Sequence, residues 1–149
     1  MPKKLLFFLS IIFFLFLTDS SFSQIKSNRF SFGYSDGYVN TIHLNYSIAN
    51  HFQLALLIGD IVIDNDFNFN NFGTSFKYFL FDNNLSPYIG FSASMIVKDS
   101  IDYYFYLPLG VQKFASKDFA FFLGLNPGIY FNNNIIYLMS FEIGGAFYF

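Results

Sequence analysis

From Thr41 to Ile48 every second residue is bulky and apolar: Ile42, Leu44, Tyr46 and Ile48 alternate with Thr41, His43, Asn45 and Ser47. Successive side chains of an extended strand point to opposite faces, so this run has one greasy side and one small or polar side. A helix would scatter the same residues around its circumference, because its period is 3.6 residues. The two-residue period returns along the chain. Phe30, Phe32 and Tyr34 open the series, and Phe52, Leu54, Leu56 and Ile58 alternate with Gln53, Ala55, Leu57 and Gly59. Phe72, Phe76, Tyr78 and Leu80, interrupted at Thr74, oppose Gly73, Ser75, Lys77 and Phe79. Ile89, Phe91, Ala93 and Met95 oppose Gly90, Ser92 and Ser94, and Phe105, Leu107, Leu109 and Val111 oppose Tyr106, Pro108, Gly110 and Gln112. Phe119, Phe121, Leu123 and Leu125 then face away from Ala120, Phe122, Gly124 and Asn126. The last run sets Tyr137, Met139, Phe141, Ile143, Phe147 and Phe149 against Ser140, Glu142, Gly144, Ala146 and Tyr148. Eight strands are predicted.

The two faces decide the solvent. Eight strands closed into a barrel enclose only enough room for side chains or one small ligand, so the bulky rows cannot all point inward. A soluble barrel would also show charge outside, yet only 12% of the residues are charged against 54% hydrophobic and 24% aromatic; about a quarter charged is usual. The bulky face therefore belongs in lipid. The predicted fold class is all-β: an eight-stranded antiparallel up-and-down transmembrane β-barrel, preceded by a signal peptide. The absence of cysteine excludes disulfides, thiolate metal sites and a cysteine nucleophile. Eight Lys and Arg with a net charge of −2 leave no basic footprint for nucleic acid.

Residues 1–23 are predicted to be the signal peptide. Lys3 and Lys4 precede the apolar run Leu5 to Leu17, and Ser21-Phe22-Ser23 places small residues at −3 and −1 of a cut before Gln24. The run is shorter than the roughly 20 residues a membrane helix needs. Residues 24–149 are then the barrel. Ala49-Asn50-His51, Asp82-Asn83-Asn84 and Ala115 to Asp118 are expected as short turns. Asp60 to Asn70, Val97 to Asp102 and Pro127 to Asn134 are expected as longer connections, with Ser35-Asp36-Gly37 a short exception. Short turns on the periplasmic side and longer outer loops suit a bacterial barrel.

The closing segment Glu142-Ile143-Gly144-Gly145-Ala146-Phe147-Tyr148-Phe149 resembles the C-terminal assembly signal of bacterial outer-membrane proteins. Glu142, Gly144, Phe147 and Phe149 occupy its polar, glycine and two alternate aromatic places. Pro87 to Phe91 and Leu107 to Val111 also look like strand openings of the small outer-membrane β-barrel family, the OmpA/OmpX-like group. The resemblance implies the outer membrane of a Gram-negative bacterium and insertion by the barrel-assembly machinery. It implies no activity, because members of the family differ in function.

Chemistry-bearing residues are few. His43 shares the predicted lumen face with Thr41, Asn45 and Ser47. Ser47 lies about 13 Å along the strand, too far to be its nucleophilic partner. No G-x-S-x-G elbow is present. His43 is therefore expected to be a structural lumen residue. Glu142, the chain's single glutamate, is expected inside as well, linked with Lys77 directly or through water in a luminal network that plugs the barrel, and Lys113 is expected inward or at the rim. Asp64, Asp66 and Asn68 begin like a calcium loop, but Phe69 stands at its glycine place and Ser75 at its glutamate place. With Asp60 they are expected to form a solvated acidic loop. Tyr103, Tyr104, Tyr130 and Tyr137 are expected to form an interfacial girdle.

The expected function is non-enzymatic: a structural or surface-interaction role through loops on a barrel with a filled lumen. No catalytic, cofactor-binding or metal-binding residue is assigned. The expected partners are outer-membrane lipids and lipopolysaccharide and, during insertion, the assembly machinery; the barrel is expected to be a monomer without a nucleic-acid partner. Three rival readings stand beside it: a lipid-modifying outer-membrane enzyme, a narrow pore, and a soluble periplasmic barrel for a hydrophobic ligand.

Overall fold

The alternating runs are strands in the computed structural model, which describes residues 28–37, 39–63, 66–97, 100–132 and 134–149, without the side chains of 60–69. The strands are β1 (Arg29–Asp36), β2 (Asn40–Ala49), β3 (Phe52–Ile63), β4 (Asp66–Phe79), β5 (Leu85–Val97), β6 (Ile101–Tyr106), β7 (Leu109–Phe114), β8 (Phe119–Phe131) and β9 (Ile135–Tyr148). β6 and β7 are two halves of one stave, since both pair with β5 on one side and β8 on the other. The interruption is Leu107-Pro108, where proline has no N–H for the ladder. The Pro108 carbonyl still accepts from Gly90 N–H at 2.8 Å, and Leu107 N–H donates to the Pro127 carbonyl at 2.9 Å. Nine segments thus make eight staves. Each pairs antiparallel with its chain neighbours, and β1 pairs with β9, so the sheet closes on itself without a long crossover.

The bulky rows point outward, as the alternation requires. Phe30, Leu44, Leu56, Phe72, Phe91, Phe121 and Phe141, from seven of the eight staves, are all exposed, as is Leu107 at the break in the remaining one. Their neighbours turn inward, where Ser47, Gln53, Lys77, Ser92 and Asn126 are buried. The residues 1–23 expected as a signal peptide lie outside the described residues.

The far connections differ from expectation. β3 and β4 run on through most of the stretch expected to be a loop, pairing Asp60 with Phe69 and Ile63 with Asp66. β8 likewise continues through Pro127 to Phe131, with Pro127 opposite Met139. Asn and Asp in these segments are weak strand formers, but pairing within a hairpin overrides that preference. Pro127 is tolerated because its missing donor faces the β6–β7 stave at the break, as its carbonyl contact with Leu107 shows, which leaves the β8–β9 ladder intact. The intervals that remain are Gly37–Val39 and residues 64–65, 98–100 and 132–134 on one side. Asn50-His51, Leu80–Asn84 and Ala115–Asp118 lie on the other, together with both ends of the described chain. We call that second side the terminal end.

Glycine makes room for aromatic rings on the inner wall. Tyr88 is in register with Gly110, and Gly110 with Gly124, so the three form one row across adjacent strands. A Cβ on Gly110 would come 2.5 Å from the Tyr88 hydroxyl, and one on Gly124 2.8 Å. Phe122 covers Gly144 in the same way, 2.4 Å from where its Cβ would be. These approaches let large rings fill a narrow tube.

Candidate functional site

Among the described residues, buried polar and charged side chains gather in the lumen, arranged as three layers along the barrel. At the terminal end, Phe79, Tyr88, Phe114, Phe122 and Tyr148 pack against one another. The Tyr148 hydroxyl accepts hydrogen bonds from Gln53 Nε2 at 3.2 Å and Gln112 Nε2 at 2.9 Å. Beneath it the guanidinium of Arg29, the chain's single arginine, lies 5.5 Å from the Tyr148 ring, pairs with Asp118 at 3.0 Å and donates to the Lys117 carbonyl at 3.0 Å. This plug ties the first strand to the turn between β7 and β8.

The middle layer is polar. His43 Nε2 stands 2.7 Å from Ser35 Oγ and 3.8 Å from Glu142 Oε1. The other carboxylate oxygen, Oε2, accepts from Asn126 Nδ2 at 3.3 Å. β1, β2, β8 and β9 bring these four residues together: Gly33 is paired with His43, Ser35 with Gly144, and Gly124 with Glu142. The Ser35 contact was missed by sequence reasoning, which considered only a serine on the histidine's own strand. Serine, histidine and glutamate in contact are the parts of a nucleophilic relay, but the geometry is wrong for one. Both partners approach the same ring nitrogen, whereas a relay needs the acid on the opposite nitrogen to orient the base. All three are also buried.

Lys77 does not contact Glu142 directly. Its ammonium sits over two rings, 4.6 Å from the centre of Tyr88 and 4.8 Å from that of Phe122, and among the described residues no carboxylate lies within ion-pair distance of it. A cation desolvated against aromatic faces gains about 2 kcal/mol from the ring quadrupoles. The plug's rings therefore hold the lysine, and its charge still acts across the lumen on Glu142 and His43 without an ion-pair contact. Lys113 is also buried.

At the far end, Ile96, Tyr104 and Tyr130 form a second cluster with Val39, Tyr106 and Leu138 against it. The Tyr130 hydroxyl donates to Asp102 Oδ2 at 2.5 Å, and Ser100 Oγ donates to the same carboxyl group at 3.1 Å. This corrects half of the expected girdle. Tyr103 and Tyr137 face outward, but Tyr104 and Tyr130 point into the lumen. Parity forces the split, since consecutive strand residues occupy opposite faces and Tyr104 is in register with Tyr130. Of the residues expected to form a solvated acidic loop, Asp60, Asp66 and Asn68 stand in the β3–β4 ladder instead; their side chains, and Asp64, lie outside what is described.

The closing residues show where the C-terminal motif stands: Glu142 inward in the middle layer, Gly144 under Phe122, and Phe147 and Phe149 exposed on the outer face. Between the middle and far layers remains a cavity of about 20 Å³, roughly the room for one water. Larger hollows, of about 330 and 590 Å³, lie on the apolar outer wall. Among the described residues no three His, Cys, Asp or Glu side chains come together as a metal site.

No family model matches the chain, and no curated protein matches it. Among solved structures it is similar to the N-terminal β-barrel domain of Pseudomonas aeruginosa OprF, at 16% identity and TM-score 0.63, covering 84% of this chain and 100% of that one. It is also similar to a chain from the de novo design of transmembrane β-barrels, at 18% identity and TM-score 0.51, covering 85% and 99%. At these identities the likeness carries the fold: the chain has the architecture of a transmembrane β-barrel.

Proposed function

We propose that this barrel resides in the outer membrane of a Gram-negative bacterium as a plugged, non-enzymatic protein that serves envelope structure or surface contact through its far hairpins. The observation that carries the reading is the inversion of an ordinary core. Bulky apolar rows face outward around the barrel while Ser, Asn, Gln, Lys and Glu are buried within. Such a surface is stable only in lipid, where the closed ladder also leaves no backbone edge unpaired along the span. Outer-membrane lipids and lipopolysaccharide are then its solvent, and Glu142, Gly144, Phe147 and Phe149 its signal to the assembly machinery, read after cleavage before Gln24. The aromatic plug argues against a pore, and a lumen cavity of about 20 Å³ argues against a hydrophobic-ligand carrier.

Fractionation of cells expressing the full chain tests the reading. The mature protein is expected in the outer-membrane fraction, resistant to carbonate, released by detergent and heat-modifiable on gels, without conductance in planar bilayers. Recovery in the soluble periplasm would overturn it, and steady single-channel currents would replace the plug with a pore.

A further inference from the structure

The far hairpins do not all end at one height. β1 meets β9 only as far as Asp36 opposite Ile143, while β9 continues with β8 up to Ile135 opposite Phe131. Ile135 to Met139 therefore have a partner strand on one side and, among the described residues, none on the other. Parity fixes which backbone groups are left over. Tyr148 N–H donates to the Asp118 carbonyl, on the β8 side, and Phe149 N–H to the Phe30 carbonyl, on the β1 side. The β8–β9 register runs unbroken from Phe147 to Ile135, so the alternation carries upward. The N–H and C=O of Ile135, Tyr137 and Met139 face the open side.

Such an edge is a template for another strand, and natural edges are shielded by charge, proline or a bulge. Here no charged residue occurs from Phe119 to Phe141 and no proline after Pro127. Tyr137 and Met139, at 80% and 73%, are the most exposed large apolar side chains among the described residues, and Ile136, of inward parity, is exposed as well. Above the closed span this ribbon is apolar on both faces and calls for cover. Its surroundings are acidic. β3 also outruns β2, whose last pair is Asn40 with Asp60, so the short β1–β2 turn floors a notch between two taller hairpins roughly 14 Å apart, three strand spacings. By sequence position the end of β1 and the β3–β4 hairpin hold Asp36, Asp60, Asp64 and Asp66, and Lys98 is the single cation in the far connections. A second copy fits poorly, because antiparallel pairing of two identical edges turns the acidic mouths toward each other.

We propose that the β9 edge from Ile135 to Met139 takes up an extended segment of a partner protein as an added strand, a segment uncharged and rich in β-branched residues in its middle and flanked by lysine or arginine. The inference rests on the surface-contact reading above and names what is contacted. The test uses the full mature chain folded in detergent micelles and a fluorescent peptide alternating valine and threonine between paired lysines, read by anisotropy. Saturable binding is expected, weakened by salt, reduced when glutamate replaces the lysines, and lost when alternate peptide nitrogens are methylated. Tyr137→Pro deletes one edge N–H and no β8–β9 bond, and is expected to weaken the peptide about tenfold while the barrel keeps its heat-shifted migration on gels. The peptide comparisons need no variant and serve if Tyr137→Pro does not fold. Equal binding of the methylated peptide, or binding of neither, would overturn the edge, and equal binding of the glutamate peptide would overturn the charge. Barrels that sediment as dimers, and as monomers in Tyr137→Pro, would give the edge to a second copy instead. Binding is read on the purified barrel, so its failure is distinct from recovery in the soluble periplasm, which would overturn the membrane reading.

Discussion

The terminal end of the lumen is closed by rings pressed onto glycine, whereas the far end is closed by tyrosines hydrogen-bonded around polar groups. Tyr88 and Phe122 leave no room for a Cβ at Gly110 or Gly144, and the lysine there is covered by their faces. Toward the other end, Tyr130 leans on Asp102, and the cavity beneath carries oxygens without partners. Dense packing punishes any change of volume, while a polar layer punishes the loss of a partner. One barrel therefore holds a close-packed plug and a polar, hydrogen-bonded mouth, and substitutions in the two should fail for different reasons.

The comparison breaks most visibly at Phe122. Phe122→Ala removes a large ring from the plug and is expected to cost about 4 kcal/mol in reversible urea unfolding from lipid vesicles, the range for emptied core aromatics; a loss below about 1 kcal/mol would mean that the plug is not packed. Overfilling the same region should cost somewhat less. Gly110→Val drives a branched side chain toward the Tyr88 hydroxyl and the Leu123 carbonyl and should destabilise by about 3 kcal/mol, with Tyr88→Ala in the same chain recovering part of the loss. At the far end, Tyr130→Phe keeps the ring and deletes a hydrogen bond to a carboxylate, for an expected loss of about 2 kcal/mol. Phe122 and Tyr130 sit on one strand about 26 Å apart, so their double variant should be additive to within about 0.5 kcal/mol; strong coupling would show that the two ends form one unit. The smallest effect belongs to Arg29→Ala. Its partner Asp118 is half exposed, and an exposed pair contributes less than about 1 kcal/mol.

What could be read in the sequence was local. Parity along a strand depends only on adjacent residues, so the outward rows from Phe30 to Phe149 and the inward positions of His43, Lys77 and Glu142 follow from the alternation itself. The same rule, applied to adjacent tyrosines, would have separated Tyr103 from Tyr104. Partners across the lumen were not legible, because they depend on the stagger with which β1 meets β9. That closure sets Glu142 beside His43 and Phe122 beside Lys77, whereas Ser35 meets His43 and Lys77 meets Tyr88 within the hairpins β1–β2 and β4–β5, where register alone brings them together. Hairpin length was hidden for another reason: Asn and Asp signal turns by propensity, and the pairing that draws Asp60 and Phe69 into a ladder is energy that a single strand does not display. Nothing in the spacing of Arg29 marked its contact with Asp118, which joins the first strand to a distant turn.

As an outer-membrane protein, this barrel turns its bulky rows toward hydrocarbon. The chain contains no cysteine, so single cysteines placed from Phe52 to Ile58 on β3 can each carry a nitroxide and be read by electron paramagnetic resonance in bilayers. Oxygen, which concentrates in lipid, should relax labels at the outward positions 52, 54, 56 and 58 and spare those at 53, 55 and 57, while a water-soluble nickel reagent should reach none of the outward ones. Outward positions open to the nickel reagent and closed to oxygen would put the bulky rows in water rather than lipid.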